Sequence, residues 1–157
     1  MAKPEQSHSA GAVRGIFAPL GTFELDEQLV LREMCDAALE GDPDYVPALM
    51  ALADSCTRSG EHERGLALDV RLSRLTPGNP VVWYNLGCSY SLVDDMEKSL
   101  DALRQALALG YDDFDFMLKD SDLAAVRRTR EFKELLDAFR SRAKGGTEAQ
   151  GTAPSGA

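Results

Sequence analysis

Histidine and tryptophan are scarce in this chain: its 157 residues include two of the first and one of the second. With only His8 and His62 available, histidine-based metal or acid–base clusters have little material. The phosphate-cradling GxxxxGK[ST] loop, the HExxH zinc helix and the GxSxG elbow do not occur. A Cys56–His62 nucleophile pair fits the composition. However, Cys56 falls where a helical core is expected, and buried thiols are inert. The sequence therefore reads as a non-enzyme with no cofactor and no metal site. Cys35, Cys56 and Cys88 are odd in number, widely spaced and without a CxxC pair. This argues against a disulfide framework or zinc site and for a reducing cytoplasm.

Long apolar runs are missing as well. Met1–Ala12 is polar, unlike a secretory signal, and no stretch approaches the length needed to span a bilayer. No membrane partner is expected. Basic residues are in deficit, 17 Lys and Arg against 26 Asp and Glu, for a net charge of −9. Such a field repels phosphate backbones, which argues against nucleic acid, and it also keeps copies of a protein apart in solution.

What is present is a repeat. Trp83, Leu86, Gly87 and Tyr90 recur at helical spacing, followed by Ser99, Leu103 and Ala106. One period of about 34 residues earlier, Leu49, Leu52, Ala53 and Cys56 hold the first four places, and Gly65, Asp69 and Leu72 the next three, with Pro77 closing the unit. The size classes persist except at Asp69, which stands where a bulky apolar side chain belongs; Leu68 beside it is the candidate to fill that space. Each unit reads as two antiparallel helices. The first has helices at about Val46–Arg58 and Glu63–Leu75, with Ser59-Gly60 as the turn. The second has helices at about Val81–Leu92 and Met96–Leu109, with Asp94 and Asp95 in the turn and Gly110 at a left-handed C-terminal cap. Gly87, Ser99 and Gly65 are small, as close approach of two helix backbones requires. Inside a helix Gly65 costs about 1 kcal/mol relative to Ala, and tight packing is the expected reason for it.

The run Trp83-x2-Leu86-Gly87-x2-Tyr90 matches the tetratricopeptide-repeat (TPR) signature, and the block from Asn79 to Gly110 resembles a TPR along its length. The resemblance is to the small bacterial type. It implies an all-α fold, a right-handed helical-hairpin solenoid with two full repeats (about 46–79 and 80–113) and flanking capping helices within a domain of 25–143. Ahead of the repeats, Leu25–Glu40 has helical spacing with Leu25, Leu29, Val30, Met34, Ala37 and Ala38 toward one side, and resembles the second helix of a repeat lacking its first. Residues 1–24 hold Gly15, Pro19 and Gly21 among Ile16, Phe17, Leu20 and Phe23. They read as an irregular N-terminal cap, or else as a segment lying in the protein's own groove.

After Gly110, the chain resembles the closing segment of many bacterial TPR proteins: a short helix, an Asp-Leu turn and a Phe-containing helix. Phe114, Met117, Leu118, Leu123 and Val126 are candidates to cap the last repeat, and Glu131–Arg140 reads as an amphipathic helix within a capping region of about 114–143. Asp112, Asp113 and Asp115 lack the glycine and terminal glutamate of a calcium loop and read as a helix-capping turn. Arg127, Arg128 and Arg130 are expected to pair within the molecule. Residues 144–157 are small and polar and are expected to be disordered.

In TPR proteins the first helix of each repeat lines a concave groove that holds an extended peptide or a helix. The resemblance places Met50, Ala51, Asp54, Thr57 and Arg58 there from the first repeat, and Tyr84, Asn85, Cys88, Ser91 and Leu92 from the second, with Leu118 and Lys119 extending the groove. Tyr84 is the expected anchor, and Asn85 can bond a backbone amide both ways. The plainer alternative is ordinary helix surface. Some TPR domains clamp a C-terminal carboxylate with Lys, Asn and Arg; Asn85 fits one such slot, but Met50 and Asp54 occupy others, so no such clamp is expected. The function implied is a cytoplasmic adaptor binding a protein or peptide of unknown identity. Because about three repeats are usually needed for a stable array, a self-associating homodimer is the alternative.

Overall fold

A computed structural model describes residues 26–148 of the chain. Among them are seven α-helices and two short 3-10 turns, with no strand: α1 (Glu27–Gly41), α2 (Val46–Arg58), α3 (His62–Leu75), α4 (Pro80–Leu92), α5 (Met96–Ala108), α6 (Phe114–Lys119), the turns Ser121–Leu123 and Val126–Arg128, and α7 (Arg130–Glu148). The all-helical reading holds, and the four repeat helices begin and end within a residue of their expected bounds. Residues 1–24 and Leu25, read as an irregular cap and a helix start, lie outside the described residues.

Local chemistry explains the helix ends. Asp26, Asn79, Asp95 and Asp113 each stand just ahead of a helix and accept a backbone N–H of its first turn, at Gln28, Val81, Lys98 and Phe116. This satisfies donors that no intrahelical carbonyl can reach. Pro80 opens α4, where its missing N–H costs nothing. Gly110 has φ of 101° and Asp94 a φ of 61°, so the turn of the second hairpin and the cap that ends it both use the left-handed region. The acidic run at 112–115 acts as the expected cap, through Asp113.

Helices pack mainly on their chain neighbours, α1 on α2, α2 on α3, α3 on α4 and α4 on α5. One apolar cluster joins Leu49, Ala53, Leu72 and Val82, and so ties the two hairpins together. A larger one joins Leu103, Ala106 and Leu107 to Met117, Leu123, Val126, Phe132, Leu135 and Leu136. The C-terminal segment thus closes the exposed end of α4 and α5.

Several expectations are corrected. On α1 the buried side is Leu31, Cys35, Ala38 and Leu39, packed toward Ala48, Leu52 and Leu68. Leu29 and Met34, expected on the apolar side, are 55% and 67% exposed. The helix docks with the stripe at i, i+4, i+7 and i+8 that meets α2, rather than with its bulkiest residues. Leu118 is exposed, because Met117 takes the inward position of α6. The terminal helix runs through Gly145 and Gly146 to Glu148, beyond the expected break at Lys144, since a helix already nucleated extends at one hydrogen bond per residue. The rest of that tail lies outside the described residues.

The two helical glycines also differ. A Cβ on Gly87 would sit 2.7 Å from both Cγ and Cδ2 of the fully buried Leu103. A Cβ on Gly65 would meet its nearest neighbours, Cys56 Cβ and Thr57 Oγ1, at 3.5 Å, which is ordinary contact. Close packing therefore requires glycine at 87 but not at 65. Gly87→Ala is expected to destabilise the fold by about 1–3 kcal/mol through overpacking. Gly65→Ala is expected to stabilise it by up to about 1 kcal/mol through helix propensity. Paired urea titrations check both, and equal shifts of the same sign would contradict the packing difference.

Candidate functional site

Helices α2 and α4 leave a cleft between them, which the C-terminal segment closes on the third side. Its cavity is about 230 Å³, lined by Ala53, Asp54 and Thr57 from α2, Asp69 from α3, Tyr84, Asn85, Cys88 and Ser89 from α4, and Phe116, Asp120 and Asp122 from the C-terminal segment. Asp54, Thr57, Tyr84, Asn85 and Cys88 were expected in a groove and are brought together here.

The other candidates stand elsewhere. Met50 is half-buried against the Leu49–Leu72–Val82 cluster, and Ala51 faces the α1 side. Arg58 is exposed and paired to Asp54 at 2.6 Å. Ser91 is fully buried, its Oγ accepting from the Val126 N–H at 3.5 Å, so it anchors a turn of the C-terminal segment rather than a partner. Leu118 lines a separate depression with Arg127, Phe132 and Lys133 and does not extend the cleft. Leu92 is half-buried and Lys119 exposed, and neither lines the cleft.

Tyr84 is not the free anchor expected from its place in the repeat. Only 4% of it is exposed; its ring stacks on Tyr111 with centroids 4.3 Å apart, and its hydroxyl donates to Asp120 Oδ2 at 2.5 Å. Burial, with Cys88 and Asp120 beside it, pushes the phenol well above its ordinary range. The C-terminal segment has already taken the contact area that a partner would use. Cys88 is buried alongside it, its thiol pushed up chiefly by burial and by Asp120. Cys56 is fully buried too, and burial raises its thiol, so it packs as an apolar group.

Asp69, Ser89, Phe116, Asp120 and Asp122 are additions that the repeat pattern did not supply. Asp69 had a signal, being the one charged residue in an apolar slot. It is 3% exposed and takes a hydrogen bond from Ser89 Oγ at 2.5 Å, which links α3 to α4. Its Oδ1 is buried without a hydrogen-bond partner. Burial pushes this carboxyl up to about 6, against the pull of the Ser89 bond. Asp122 is also raised, by burial and by Asp120. Arg127 holds the turn in place by donating to the Asp120 carbonyl at 2.6 Å. Arg130 pairs with Glu134, in keeping with an internal role for that basic cluster.

The raised Asp69 carboxyl makes a pH prediction with a definite sign. Above its ordinary value and up to about 6, the folded state holds a proton that the unfolded chain has released. Stability from this group is thus full in acid and lost as pH rises through 6. Asp69→Asn is expected to raise stability at pH 7.5 by about 2–3 kcal/mol, an advantage that shrinks toward pH 4. Thermal unfolding of both proteins across that range checks it; a pH-independent difference would show that burial of charge is not the cause.

No family model matches the chain. It is 35% identical over 86 residues to a chloroplastic protein of Arabidopsis thaliana, a match that covers 53% of this chain and 26% of that protein. The chain therefore spans about a quarter of that relative's length.

Proposed function

We propose that this protein is an interaction module of the tetratricopeptide type, in which the cleft between α2 and α4 receives a segment of a partner protein. The observation that carries this reading is the cleft. Residues from two successive repeat-like hairpins meet there with amide, hydroxyl and carboxylate groups and one apolar wall, Phe116, half exposed at 50%. A concave site with a few convergent polar groups is the ordinary form of a recognition site. Asn85 stands half-buried in its wall, where it can exchange both hydrogen bonds with a backbone amide. The three cysteines are free and buried, which suits a reducing compartment such as the cytoplasm. Among the described residues, no helix is long and apolar enough to cross a membrane.

Self-association is the second reading, favoured by Leu29 and Met34 standing exposed on α1 at the start of the array. Sedimentation velocity separates it from the first reading, because a monomer at all concentrations excludes a working dimer.

Because Tyr84 supports the fold, the groove is best tested by filling it. Asn85→Arg combined with Thr57→Arg is expected to abolish capture of the partner by the tagged full chain. Circular dichroism should stay unchanged, and Arg104→Ala on the outer surface should capture normally. An unchanged set of captured proteins in the filled variant would remove the cleft from consideration.

A further inference from the structure

On the reading that this cleft holds a partner segment, we propose that the group it receives is a lysine or arginine side chain projecting from that segment. Four carboxylates line the cavity, Asp54, Asp69, Asp120 and Asp122, and no lysine or arginine does. They are not equally available. Asp54 is tied to Arg58, and Asp120 takes the Tyr84 hydroxyl and the Asp122 N–H. Asp69 is different: it lines the cavity while nearly all of it is out of water, and its buried Oδ1 has no hydrogen-bond partner.

A buried carboxylate oxygen without a donor is costly, and one serine hydroxyl on the other oxygen does not offset the loss of hydration. A donor carrying positive charge, arriving from the open side, satisfies the orphaned oxygen and offsets part of the cavity's negative charge at the same time. A guest with no donor leaves Oδ1 as it was, a neutral donor leaves the excess negative charge in place, and an anionic guest is repelled.

The type of cation follows from the donor arrangement. Among the described residues, no three His, Cys, Asp or Glu side chains converge as metal ligands would. The carboxylates come from three parts of the chain, α2, α3 and the C-terminal segment, and Ala53 and Phe116 line the same cavity. A long aliphatic stem ending in an ammonium or guanidinium matches this surface, the stem against the apolar wall and the charge at Asp69. The cavity of about 230 Å³ is sized for one such side chain rather than for a folded element. The net charge of −9 attracts a basic segment at longer range.

The test uses the full chain and fluorescein-labelled, acetylated pentapeptide pools with randomised flanks and a fixed central Lys, Arg, norleucine or Glu, read by anisotropy. The Lys or Arg pool is expected to bind about tenfold or more tighter than the norleucine and Glu pools. Asp69→Asn should erase that preference, and the surface change Asp101→Asn should leave it intact. Equal binding of the norleucine or Glu pool, an undiminished preference in Asp69→Asn, or no binding by any pool would overturn the proposal. Norleucine binding that is lost in Asn85→Arg would overturn the charge assignment alone and leave the groove reading standing. Spermidine, which shares the ammonium chemistry, tests the other source. Asp69-dependent binding of spermidine that is tighter than the Lys pool would assign the site to a free polyamine instead of a protein side chain.

Discussion

The approach of α4 to α5 at Gly87 is the contact on which the other features rest. Leu103 would stand only 2.7 Å from a Cβ on residue 87, and the Gly87 carbonyl accepts the Ser99 hydroxyl at 2.7 Å. With the two backbones this close, Ser99 and Leu103 are fully buried, and the direction of α4 is fixed. Tyr84, Asn85 and Cys88, on the adjoining side of that helix, are thereby carried into the cleft. The other half of the same contact, Leu103 with Ala106 and Leu107, is the surface on which the C-terminal segment condenses. A core at protein packing density transmits a one-carbon change to its neighbours, so the position of the cleft wall and the seating of the closing segment depend on one missing side chain.

The C-terminal segment does more than cover an apolar end. Met117, Leu123 and Val126 supply its burial, and the polar contacts at Tyr84 and Ser91 fix its register. Carboxylates from Asp120 and Asp122 arrive at the cleft as part of the same turn, held by Arg127. This short helix and turn thereby adds two carboxylates to a cleft that already holds Asp54 and Asp69. Asp69 has the opposite character: it ties two hairpins through Ser89 while keeping a charge where an apolar group would be more stable. Residues that weaken the fold in this way are commonly retained for what they do in a site.

The hairpins and their bounds were legible in the sequence because they rest on local information. Helical spacing of apolar residues, a capping Asp or Asn and a glycine after the last turn are read within a few residues of one another. Asp54, Thr57 and Asn85 could be placed in a groove only through the resemblance to the repeat family, which implies that the first helix of each hairpin lines it. Asp69 was legible only as a misfit. Its partner Ser89 is 20 residues away on a different hairpin, and nothing in the spacing connects the two.

By itself, the sequence determined an all-helical chain of paired helices, their turns and caps, and the excess of acidic charge. Periodicity and capping are properties of neighbouring residues, and they survive in any tertiary arrangement. Tertiary structure alone decided which face of α1 is buried, that Gly65 has room for a methyl group while Gly87 has none, and that Tyr84 is engaged within the molecule by Tyr111 and Asp120. It also decided that Asp69, Asp120 and Asp122 share one cavity. These outcomes depend on distances between side chains far apart in the chain, set by packing that no local pattern encodes.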